Sequence, residues 1–71
     1  MAPVDDVVLT PRQTEVLRLL AKGLSNKEIA QALGCAEPTV RVHVSTVMRL
    51  LDVENRTQAA TSPLARRLAD E

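Results

Sequence analysis

The 71 residues have room for one domain. Without Phe, Tyr or Trp they have no ring on which to stack a base, which excludes the RNA-recognition sheets and many single-strand binders. The formal net charge is +0, with Asp5, Asp6, Asp70 and Glu71 at the chain ends and a modest basic bias between them. There Arg12, Arg18, Lys22, Lys27, Arg41, Arg49 and Arg56 outnumber Glu15, Glu28, Glu37, Asp52 and Glu54.

Cys35 is the single cysteine, so no internal disulfide forms and a reducing, cytoplasmic setting is expected. One His43 and one Cys35 do not make a structural zinc site, and no metal or cofactor is expected. Cys35 reads as a small buried hydrophobe and His43 as a packing or phosphate-contacting residue. No apolar run nears the roughly 20 residues of a membrane span. Residues 1–8 are acidic where a signal peptide is basic, and read as a flexible N-terminal segment before a domain over 9–69.

The elements follow in chain order. Thr10-Pro11-Arg12-Gln13 has the form of an N-cap, a first-turn proline and a capping-box Gln. Val16, Leu17 and Leu20 then recur at helical spacing, with Leu19 widening the stripe, and Gly23 ends the helix. Ser25-Asn26-Lys27-Glu28 is a second capping box, with Leu24 and Ile29 as its hydrophobic staple. Ile29, Ala30 and Leu33 share one face before Gly34.

After Cys35 and Ala36 a third helix runs over about 37–51, begun by Glu37 and Pro38. Val40, Val44, Val47 and Leu51 recur at i, i+4, i+7 and i+11, which favours a helix over the strand that so many valines suggest. Asn55-Arg56-Thr57-Gln58 opens a fourth helix in the form of another capping box. Pro63 would cost it about 3 kcal/mol in mid-helix, so a kinked or restarted helix is expected there. The fold class is therefore all-α: a four-helix domain containing a helix-turn-helix.

The third helix has a second face. At about 100° per residue, Pro38, Arg41, Val42, Ser45, Thr46 and Arg49 lie opposite the valine stripe, and none of them is an acid. A solvated face more often mixes Glu with Lys. Arginine can bond guanine bidentately, hydroxyls serve bases or phosphates, and a valine methyl can touch that of thymine, so this face suits the major groove. A short helix, a tight turn opened by Gly and a longer helix make the helix-turn-helix plan. At Ser25, Asn26 and Lys27, free N–H groups, the positive dipole end and a lysine can meet a phosphate. A helical protein-interaction module is the competing reading. With no nucleophile and base in a recognisable motif, catalytic residues and enzyme activity are not expected.

Three motifs, LTPRQTEVLRLLAKGLSNKEIAQALG, TVRVHVSTVMRLL and NRTQAA, resemble the LuxR-type (NarL/FixJ, GerE-like) helix-turn-helix domain in order and spacing over Leu9 to Ala60. The resemblance implies a DNA-binding output domain of bacterial transcription regulators, response regulators among them. Its partner would be double-stranded promoter DNA, commonly met as a dimer, with RNA polymerase as a candidate further partner and no membrane. It implies base reading by Arg41, Val42 and Ser45 from the third helix. Phosphate contacts would fall to Asn26, Lys27, Thr39, Thr46 and Arg49, and a homodimer contact on the fourth helix to Gln58 and Ala59. Three positions depart from the family pattern. Ala36 stands where Ser or Thr usually caps the third helix, Asp52 where Gly usually follows it, and Thr61-Ser62-Pro63 interrupt a usually continuous fourth helix.

Overall fold

The computed structural model describes residues 7–70, and most of the expected N-terminal segment 1–8 lies outside them. The described residues form five helices and are all-α: α1 (Pro11–Ala21), α2 (Asn26–Leu33), α3 (Glu37–Leu51), α4 (Arg56–Ala60) and α5 (Pro63–Ala69). Among them no helix is long and apolar enough to cross a membrane.

Local chemistry accounts for the first two helices. The Thr10 hydroxyl accepts from Gln13 N at 3.1 Å, and the Gln13 side chain accepts from Thr10 N at 2.9 Å. Ser25 and Glu28 repeat that exchange at 3.1 and 2.9 Å. Each box satisfies two N–H groups that helix geometry leaves without an internal acceptor. Both helices stop where glycine takes a positive φ, +87° at Gly23 and +70° at Gly34. Left-handed backbone folds the chain back on the last turn, so that Leu24 N reaches Leu19 O and Cys35 N reaches Ala30 O.

The third helix spans the expected residues, with Val40, Val44 and Val47 buried. Its N-cap, Ala36, has extended dihedrals but no side-chain cap bond. At its other end Asp52 adopts φ 57° and ψ 46°, a left-handed conformation more usual for glycine. Val53 N then bonds Met48 O at 3.1 Å.

The fourth helix is divided, as the restarted-helix expectation had it. The hydroxyl of the buried Ser62 donates to Ala59 O at 2.8 Å and accepts from Ala65 N at 3.3 Å, closing α4 and capping α5 with one side chain. Pro63 thereby becomes a first-turn residue, where its missing N–H leaves no intrahelical bond unmade. The capping box read at Asn55 is half formed. Asn55 accepts from Gln58 N at 2.9 Å, but the Gln58 side chain accepts from Glu54 N, one residue before the cap.

The core comprises Val16, Leu17, Leu20, Ile29, Ala30, Val40, Val44, Val47, Ala59 and Ala65. Helix α1 is its hub and packs against all four other helices, while α2 packs against α3. Ala30 lies buried on α2, and its small side chain permits a close approach to α3. Ala59 and Ala65 do the same for the short helices that lie against α1. This packing leaves the outer face of α3 and the N-terminus of α2 uncovered.

Candidate nucleic-acid interface

On α3 the core stripe points Val40, Val44 and Val47 inward, which turns Arg41, Val42, Ser45 and Arg49 outward, all exposed. Val42 is 65% exposed, an apolar side chain held in solvent between polar neighbours on a helix that already has its buried face. Thr39 is exposed at the start of the same helix. Thr46 is half-buried, and its hydroxyl donates to Val42 O at 3.0 Å, so its proton is engaged while its oxygen can still accept.

The expectation of an acid-free face is corrected at one edge. Glu37 Oε1 lies 4.0 Å from Arg41 Nη1, an i,i+4 pair with both side chains well exposed. Four residues advance a helix by about one turn, so an acid in the first turn necessarily overhangs Arg41. Exposed pairs of this kind are worth ~0.2–1 kcal/mol, so a stronger acceptor can draw the guanidinium away.

The second part of the interface is the start of α2. Lys27 is exposed and Asn26 half-buried there, beside the helix's first N–H groups. Glu28, in the same turn, has its carboxylate turned back to the cap. Hydrogen bonds from the Ser25 backbone N–H, and secondarily from the Ser25 hydroxyl, hold its pKa below the ordinary glutamate value.

Sequence reasoning missed Arg56. It belongs to α4, yet its guanidinium donates to Asn26 Oδ1 and to Leu24 O across α2's N-terminal turn. No spacing signal announces a bond between residues so distant in sequence, and only the packed helices bring them together.

Of the residues assigned to a dimer contact, Gln58 is exposed and Ala59 is fully buried in the chain's own core. Cys35 is a free, half-buried thiol in the turn, packed against the core, and His43 is half-buried on α3. Among the described residues no three His, Cys, Asp or Glu side chains are grouped to hold a metal ion.

An eight-residue helix, a turn opened by a left-handed glycine and a fifteen-residue helix with an uncovered outer face define a helix-turn-helix domain. The family model described as "Bacterial regulatory proteins, luxR family" matches residues 7–62, and the chain belongs to that family of DNA-binding regulatory domains. The matched span ends at Ser62, the residue at which the fourth helix is broken.

Curated relatives agree over a shared stretch of 52 residues, 73% of this chain. The two-component response regulator PprB of Pseudomonas aeruginosa is 54% identical there, with 19% of its own length covered. The nitrate/nitrite response regulator protein NarP of Escherichia coli is 50% identical, with 24% of its length covered. The response regulator protein VraR of Staphylococcus aureus is 50% identical, with 25% covered. The chain thus spans about a fifth to a quarter of the length of these relatives.

Proposed function

We propose that this domain binds double-stranded promoter DNA sequence-specifically, with α3 in the major groove, and serves as the output domain of a response regulator. The observation that carries the reading is the exposed Val42 set between Arg41, Ser45 and Arg49 on the uncovered face of α3. An exposed valine contributes little to the fold of a single chain but fits beside thymine methyls. Arg41, Val42 and Ser45 read base edges. Asn26, Lys27, Thr39 and Arg49 meet phosphates, and Thr46 joins them by exchanging its bond to Val42 O for one to the backbone of the duplex.

Two copies pair through the exposed side of α4 at Gln58, with Ala59 supporting that side from the core. RNA polymerase is the further partner expected of a promoter-bound regulator. In this role the domain works in the cytoplasm.

Selection of bound duplexes from a random pool, followed by salt titration on the selected site, tests the reading. Arg41→Ala is expected to weaken binding by about 1–3 kcal/mol and to relax one base preference. Lys27→Ala is expected to lower the salt slope by about one ion. Parent-like binding by both variants overturns the assignment of faces. A parent that retards no duplex at low salt, while binding a protein tightly, is instead a protein-interaction module.

A further inference from the structure

We propose that Arg56 is a positioning residue for the DNA-backbone contact: it takes the amide oxygen of Asn26 and so presents the Asn26 amide NH2 outward, as a phosphate donor at the start of α2. The proposal rests on the DNA-binding reading above and adds a residue and a mechanism to it.

A guanidinium has donors only, whereas an asparagine amide has an acceptor end and a donor end. The end of Asn26 that faces Arg56 is therefore its oxygen, as the bond to Oδ1 shows. The end left over is Nδ2, with two hydrogens and no acceptor capacity. A phosphate oxygen can only accept, so the outward edge of the amide is matched to it and the inward edge is not.

The same guanidinium bonds Leu24 O, immediately before the cap residue Ser25. A planar fork thus holds both the loop that leads into α2 and the first residue of the helix. The position also carries an amide where a carboxylate would pair more strongly with arginine. For a purely structural tie an aspartate would serve better. For a surface that must meet an anion it would be the wrong group, because it offers no donor and adds a negative charge.

The experiment measures binding of the domain to a random-sequence duplex of about 20 base pairs at low salt, because phosphate contacts do not depend on sequence. Thermal unfolding is followed in parallel. Arg56→Lys keeps the charge and loses the fork. It and Asn26→Ala are each expected to weaken binding about fivefold to tenfold, and the double variant no more than the weaker single one, because both remove one interaction. Asn26→Asp is expected to melt at or above the parent temperature yet to bind at least about tenfold more weakly, a separation that a structural role does not produce.

Losses that multiply in the double variant, parent-like binding by Asn26→Asp, or an Asn26→Asp that melts below the parent overturn the proposal. A parent that binds no duplex removes the DNA-binding reading itself, and this proposal with it. A parent that binds while the variants match it removes this proposal alone.

Discussion

Glu28 shows how one side chain serves both folding and charge. Its Oε1 accepts from Ser25 N at 2.9 Å while its own N–H donates to the Ser25 hydroxyl at 3.1 Å. The Ser25 N–H favours the ionised carboxylate and lowers its pKa from the ordinary 4.5. A group whose pKa is lower folded than unfolded stabilises the fold above the unfolded value, and that contribution is lost as pH falls through the folded one. Glu28→Gln can still accept from Ser25 N but cannot titrate. Melting curves from pH 6 down through the carboxylate range are therefore expected to fall more steeply for the parent than for Glu28→Gln. Parallel curves would show that the Ser25 bond does not distinguish the two protonation states.

At the scale of the element, α3 presents an uncovered outer face while both of its ends lack their best residues. Ala36 occupies the N-cap with extended dihedrals and no side-chain oxygen to meet the first N–H groups. Because Ala36 is exposed, Ala36→Ser adds a cap without disturbing packing and should stabilise the domain by about 1 kcal/mol. In a domain of this size that corresponds to a rise in Tm of about 4–8 °C.

At the C-terminal end Asp52 sits at φ 57°. Left-handed backbone costs an ordinary residue about 1–2 kcal/mol, against about 0.5–1 kcal/mol of extra chain entropy lost when glycine is ordered. Asp52→Gly should thus raise the urea midpoint by the equivalent of up to ~1 kcal/mol without changing the slope of the transition. A fall in midpoint would mean that the aspartate side chain compensates for its own backbone. Neither change touches Arg41, Val42 or Ser45, so duplex affinity should stay at the parent value.

Over the whole molecule the margin is narrow. A chain of this length buries only about 60% of its unfolded surface, and here no aromatic side chain enlarges the core. Leu17 is fully buried on α1, the helix that every other helix touches. Leu17→Ala should cost about 3 kcal/mol, a large part of the stability of so small a domain. Its duplex binding should fall only with the unfolded fraction and return to the parent value on cooling to the folded baseline. Arg41→Ala should do the opposite and weaken binding while leaving Tm within about 2–4 °C of the parent, since surface changes of this kind seldom exceed ~0.5 kcal/mol. Melting and binding measured on both variants separate the frame from the face it carries.

The features legible along the chain are those whose partners lie within one helical turn. Thr10 with Gln13 and Ser25 with Glu28 close over three residues, Gly23 and Gly34 need only their own dihedrals, and the valines of α3 declare a buried face by spacing alone. Ser62-Pro63 likewise marked where the fourth helix stops and restarts. Once that buried face was known, so was the outward position of Arg41, Val42 and Ser45, because a helix fixes which residues lie opposite one another. The Glu37–Arg41 pair was within the same reach but fell outside an arc drawn without the first-turn acid. The burial of Ala59 and the reach of Arg56 to Asn26 and Leu24 were not legible in this way. They depend on how α4 lies against α1 and on what that packing brings beside α2. Such relations are set by side chains interlocking across helices far apart in sequence, and no local period records them.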